Sequence, residues 1–133
     1  MIRFVLDASA LLEIVIGRSP SADLRTLTLT AQGAAPELID VEAISTVRRL
    51  VRGGLLPLPE ATAAVRDIGE TPLSRTAHRP LLTRVWELRD SITAYDATYI
   101  ALAERLGVPL LTCDARLGRA HGHEAEVVVY PRS

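Results

Sequence analysis

A chain of 133 residues with 48% hydrophobic and 23% charged residues has the balance of one folded domain, long enough to bury a core without staples, and not that of a disordered segment. Its single cysteine, Cys113, cannot form an internal disulfide, which suits a reducing cytoplasm; Asp7 and Glu13 interrupt the apolar N-terminal run and no small-residue cleavage site follows, which argues against a signal peptide and a membrane span. A net charge of −1 leaves no general basic footprint for nucleic acid, and the use of Arg for all fifteen cations reads as a compositional habit.

Residues 2–7, IRFVLD, are a β-branched and aromatic run ending in an acid, the pattern of a buried first strand with Asp7 at its carboxyl end. ASALLEIVIG follows as a short helix. Ser19 and Pro20 supply N-cap and first-position signals for a second helix running towards Gly33, and only a short extended piece fits around Ala35–Leu38. The next helix carries Ile44, Val47 and Val51 on one line and stops at Gly53-Gly54; Pro59 opens another, to about Ile68. Thr71–Thr76 is extended, and Pro72 confines it to a sheet edge if it pairs at all. Leu81, Leu82, Val85 and Leu88 mark one more helix.

The stretch from Ile92 to Asp114, ITAYDATYIALAERLGVPLLTCD, is the most informative. Thr93 is a good N-cap; Tyr95, Tyr99, Leu102 and Leu106 follow the helical repeat, and Gly107 with Pro109 ends the helix. Asp96 heads a line through Ile100 and Ala103, with Thr98 and Arg105 marking the opposite, wetter side. VPLLT is a strand buried on both faces, with Asp114 past its end. A turn of helix precedes Gly118, and EVVVY at 126–130 is the last strand.

Strands alternating with helices imply a mainly parallel sheet covered on both faces, with ligands bound beyond the carboxyl ends of the strands. Asp7 and Asp114 follow two such ends, and Asp96 lies in a first helical turn, as does an acid in PELIDVEA. Asp96 alone would be accounted for by the helix dipole. Four carboxylates at one edge, however, repel one another and ionise together only around a cation, and all-oxygen ligands select a hard ion such as Mg²⁺ or Mn²⁺. Within PELIDVEA, Asp40 shares its line with the apolar Ile44 and Val47, whereas Glu42 lines up with Ser45, Thr46 and Arg49.

DASALLE, PELIDVEAISTVRRL and TAYDATYIALAERLGVPLLTCDARL together resemble the PIN-domain ribonucleases, and more closely the VapC-type toxins of bacterial toxin–antitoxin pairs. The resemblance implies an α/β fold, a three-layer α/β/α sandwich around a mainly parallel five-stranded sheet, with a single PIN-like domain over residues 1–133. It also implies a Mg²⁺- or Mn²⁺-dependent endoribonuclease acting on RNA in the cytoplasm, a small cognate antitoxin, and a homodimer. Carried over residue by residue, it makes Asp7, Glu42, Asp96 and Asp114 the metal-binding and catalytic acids. Glu42 takes the second place by its spacing from Pro36, and Asp40 remains its rival. Ser9 and Thr112 would orient carboxylates or a bound water. Arg residues around the rim would meet phosphates.

The antitoxin is expected along the early helices, where Leu11, Leu12, Ile14, Val15 and Ile16 offer more apolar surface than one sheet face can bury, helped by Leu55 and Leu56. The alternatives are a PIN nuclease that processes RNA without an antitoxin and a non-catalytic α/β metal-binding module. A receiver-like phosphoacceptor would need a late Lys, and the chain has none. His121 and His123 read as a solvated loop pair, Arg75, His78 and Arg79 as a solvated face, Cys113 as a small strand residue, and Glu13, Glu37, Glu87 and Glu104 as surface charges. There is no Gly-rich phosphate loop and no Ser nucleophile elbow.

Overall fold

The structure is a computed structural model that describes residues 1–17 and 21–131. Five strands, β1 (Ile2–Leu6), β2 (Gln32–Pro36), β3 (Leu73–Thr76), β4 (Leu110–Thr112) and β5 (Val127–Val129), pair in parallel in the order β3-β2-β1-β4-β5. The helices are α1 (Ala8–Ile16), α2 (Ala22–Thr30), α3 (Leu38–Arg52), α4 (Leu58–Glu70), α5 (Leu82–Glu87), α6 (Ala94–Leu106) and α7 (Ala115–Gly118). From β1 the chain steps outward to β2 and β3, then crosses back to β4 and β5 on the other side. Right-handed connections therefore put α1–α4 on one face and α5–α7 on the other. The contacts agree: α1 packs on α2, α3 and α4, while α6 packs on β1, β2, β4 and α5. The sheet is thus covered on both faces, as expected, and strand order reverses between β1 and β4.

Phe4, Val5 and Leu6 are consecutive and all buried, as a central strand with helices on both sides requires, and Leu110 and Leu111 of β4 are buried beside them. Pro72 precedes β3, which is an edge strand as its sequence suggested. Gly53 and Gly54 end α3, the latter in the left-handed region that favours glycine.

Two local expectations are corrected, and a third falls outside the described residues. The second helix stops at Thr30, and β2 begins at Gln32 instead of near Ala35. Gly33 is not a helix stop but a strand residue opposite Phe4, where a Cβ would lie 2.3 Å from the Phe4 ring, so the missing side chain makes room for the aromatic one. The Ser19-Pro20 start signal lies outside the described residues; α2 begins after Ser21.

Thr98 is buried, not wet, because α6 is sandwiched between the sheet and α5; the whole run Ala97–Ala103 is buried, and only the helix ends, such as Tyr95 and Arg105, reach solvent. The apolar surface expected on α1 is largely covered as well. Leu11 and Leu12 are buried, and Ile14, Val15 and Ile16 pack against the core. Exposed apolar residues occur instead around α3 and α4, at Val41, Leu55 and Leu58, and also at Leu29, Leu82, Trp86 and Tyr95. Among the described residues no helix is long and apolar enough to cross a membrane.

Candidate active site

The crevice of an open parallel sheet forms where strand order reverses, here beyond the ends of β1 and β4. Asp7 leaves β1 as the N-cap of α1, accepting the Ala10 N–H at 2.9 Å. Ser9 donates to the same carboxylate oxygen, Oδ1, at 2.7 Å, and Thr112 donates to Oδ2. The two hydroxyls also receive backbone N–H groups from the β4 exit, Cys113 onto Ser9 at 2.9 Å and Asp114 onto Thr112 at 3.0 Å. Ser9 and Thr112 thus hold both oxygens of Asp7 by hydrogen bonds, and they tie the ends of the two strands together. Burial pushes the Asp7 carboxyl up to about 6, against the pull of its hydrogen bonds to Thr112, Ala10 and Ser9, and the charge of Asp96 adds to the rise.

Glu42, in the second turn of α3, accepts the Tyr99 hydroxyl at 2.6 Å. Burial raises its pKa and the Asp96 charge adds to that, while Tyr99 and Arg49 oppose it. The Tyr99 phenol is in turn driven far above its ordinary value by burial and by Glu42. Asp96 sits in the first turn of α6, whose Thr93 cap accepts the Asp96 N–H at 3.2 Å; burial and the neighbouring Asp114 raise its pKa, partly offset by Arg116. Asp114 caps α7 and pairs with Arg116 at 2.9 Å, which holds its carboxyl below the usual range.

Asp7, Ser9, Glu42, Asp96 and Asp114 line one cleft of about 650 Å³; Thr112 lies fully buried beside Asp7. Asp40 is absent from it. Its carboxylate makes two hydrogen bonds to Arg75, at 2.8 and 2.9 Å, and Arg75 also donates to the carbonyls of Ile68, Thr71 and Leu73. Asp40 is therefore a structural tie between α3 and β3. Of the two apolar residues on its line only Val47 is core, Ile44 being exposed, and the Asp40 side chain turns to β3 and not to the cleft.

Among the described residues no three acidic, His or Cys side chains are already drawn into a closed cage. The donor chemistry nonetheless fits a hard divalent cation: the set is all oxygen, and the charges of Asp96 and Asp114 each raise the pKa of a neighbour, strain that a cation would relieve.

Two participants were not singled out from the sequence. Tyr99 was read only as part of the apolar helical repeat, although a hydroxyl-bearing aromatic one turn after Asp96 was the available signal. Arg116, two residues after Asp114, had none beyond that proximity.

Other expectations change too. Arg75 belongs to no solvated face, as its pairing with Asp40 shows. Glu104 is more than a surface charge, since Arg84 binds it at 2.8 and 2.9 Å and lowers its pKa. His123 is half-buried: its Nδ1 accepts the Ala125 N–H, and its Nε2 has no partner among the described residues. Burial raises the Cys113 thiol to about 11, which leaves it protonated and unreactive.

A parallel α/β/α domain whose switch-point crevice is lined by four acids from four separate segments defines a class before it defines a family: an α/β domain with an acidic cleft at the carboxyl edge of its sheet. Comparison with known proteins supplies the rest. The PIN domain matches residues 4–122. Ribonuclease VapC12 of Mycobacterium tuberculosis (strain ATCC 25618 / H37Rv) is 38% identical over 92% of this chain and 95% of its own length. Among solved structures, PAE2754 from Pyrobaculum aerophilum has a TM-score of 0.70 at 21% identity, covering 95% of this chain and 83% of that one. VapBC2 from Rickettsia felis, bound to a DNA fragment from their promoter, has a TM-score of 0.67 at 17% identity, covering 96% and 98%. These two likenesses are of fold. The chain belongs to the PIN-domain family and, within it, to the VapC ribonucleases.

Proposed function

We propose that this protein is a divalent-metal-dependent endoribonuclease, the toxin of a toxin–antitoxin pair. The observation that carries the reading is the cleft in which Asp7, Glu42, Asp96 and Asp114 meet with coupled charges. Mg²⁺ or Mn²⁺ held by these four carboxylates would activate water and neutralise the phosphodiester. The chain's own residues do the positioning. Ser9, Thr112 and the Ala10 N–H fix both oxygens of Asp7, and Tyr99 fixes Oε1 of Glu42. Arg116 holds Asp114 and is 81% exposed at the cleft margin, where a phosphate would meet it. With water as nucleophile, no covalent intermediate on the protein is needed.

The test is cleavage of RNA by the purified chain with Mg²⁺ or Mn²⁺. Activity should stop with chelator and be lost in Asp96→Asn, and wild-type expression alone should slow growth. Cleavage that persists in chelator would refute the metal-dependent reading.

The partner in this reading is a small antitoxin, supported by the relationship to VapC ribonucleases and by the fold shared with VapBC2, and the protein acts as a cytoplasmic homodimer. Exposed apolar residues around α3 and α4, Val41, Leu55 and Leu58, offer one surface for such contacts. Leu12→Glu, which the sequence suggests as a probe of the partner, would insert a charge at a buried site; Leu58→Glu, at an exposed one, is the better probe. It should weaken recovery of the partner and leave RNA cleavage intact. A monomer that recovers no partner from its own cells would remove this part of the reading.

A further inference from the structure

Beside the acidic cleft lies a second one of opposite character. Its volume is about 720 Å³, and it shares Asp96 and Arg116 with the first, so the two are continuous. The rest of its charged rim is Arg89 and Arg119, opposed by Asp90. Arg89 and Arg119 are exposed, and among the described residues neither forms a salt bridge, whereas Arg75 and Arg84 are both committed to carboxylates. Arg89 is also pre-placed: its guanidinium lies 4.6 Å from the centroid of the Trp86 ring and donates to the Trp86 carbonyl at 3.0 Å.

Two large aromatic side chains are left exposed in this region, Trp86 under Arg89 and Tyr95 next to Asp96 on the wall of the acidic cleft. Tyr95 belongs to the wall of the adjoining acidic cleft, and cations along a groove next to an exposed aromatic ring are an arrangement that binds single-stranded nucleic acid, the cations on phosphates and the ring under an unpaired base. A paired helix could not offer a base to Tyr95.

The geometry points to this second cleft as the track for single-stranded RNA flanking the scissile phosphate, with Arg89, Arg116 and Arg119 on backbone phosphates and Tyr95, where the track meets the acidic cleft, beneath a base. The inference rests on the ribonuclease reading above and adds to it which Arg residues hold the substrate.

The test is binding of a fluorescein-labelled single-stranded oligoribonucleotide to the full chain in chelator, read by anisotropy across a KCl series, so that binding is separated from cleavage. The variant carrying both Arg89→Ala and Arg119→Ala should lower the slope of log K against log salt by about 1.4, at about 0.7 per phosphate lost. Tyr95→Ala should weaken binding about ten-fold or more with the slope unchanged. Arg66→Ala, on α4 and lining neither cleft, should change neither. An unchanged slope in a double variant that melts like wild type overturns the proposal, as does a duplex of equal length binding as tightly as the single strand. Loss of a protein partner with RNA binding retained would make the cleft a docking surface and also overturn it. The two readings fail separately: RNA cleavage with an unchanged slope removes the track and leaves the nuclease, while the predicted slope change without any cleavage removes the nuclease and leaves the track.

Discussion

Replacing Asp7 with Asn should stabilise the metal-free protein at neutral pH, although it removes a residue that the proposed function needs. The Asp7 carboxyl is 5% exposed and its pKa is raised from 3.8 to about 6 on folding, chiefly by desolvation. Below pH 3.8 the acid is protonated in both folded and unfolded chains and its ionisation contributes nothing. As pH rises towards 6 the folded chain keeps a proton that the unfolded chain releases, so stability falls with pH, and above 6 the whole penalty is present.

That interval, at about 1.4 kcal/mol per pH unit, amounts to about 3 kcal/mol. Asn keeps the N-cap acceptor for the Ala10 N–H, and its amide can donate to Thr112, so little of the gain is lost. At about 4 °C per kcal/mol for a chain of this size, Asp7→Asn should melt about 10 °C above wild type at pH 7.5 in chelator. The gap should close as pH falls to 4. Millimolar Mg²⁺ should narrow it from the other side, by raising the wild type alone. Thermal melts across pH 4–8, with and without chelator, measure all three effects. A variant that melts at or below wild type at pH 7.5, or a gap independent of pH, would refute the assignment of Asp7 as a carboxylate strained by burial.

Glu42→Gln should abolish the rise in melting temperature on adding Mg²⁺, whereas Asp40→Asn should keep it and lower stability by about 1–2 kcal/mol, because Arg75 loses a partly buried partner. Tyr99→Phe removes the hydrogen bond that lowers the Glu42 pKa, so the acid limb of the RNA-cleavage pH profile should move to higher pH; an unmoved limb would show that Glu42 does not control it. Gly33→Ala should destabilise by about 1–3 kcal/mol in denaturant titrations. Phe4→Leu in the same chain should return part of that loss, since the clash is with the Phe4 ring.

Sequence periodicity read the fold well where a single neighbour decides the outcome. IRFVL and PLLT are too apolar for anything but interior strands, and Pro72 placed β3 at the edge before any pairing was known. It failed where two distant segments decide together. Gly33 looks like a helix stop until Phe4 is seen across from it, and Thr98 looks wet although the whole run Ala97–Ala103 of α6 is buried. The candidate site follows the same division. Asp7, Asp96 and Asp114 are legible because strand ends and first helical turns have a fixed position in a parallel sheet. Asp40 and Glu42 are two residues apart on one helix, and only Arg75 on β3 and Tyr99 on α6 show which way each one faces. No local pattern contains those partners.

The hydroxyl bridge between the β1 and β4 exits also bears on when activity can arise during synthesis. Asp7 and Thr112 are separated by 105 residues, so the first carboxylate of the cleft is made early and waits for its partners until β4 leaves the ribosome. β1 can meet β2 long before β4 exists, and a nascent chain that has paired only β1, β2 and β3 has an open sheet edge where the crevice should be. For a protein proposed to cut RNA, this topology delays the completed site until β4 has been synthesised and has docked beside β1.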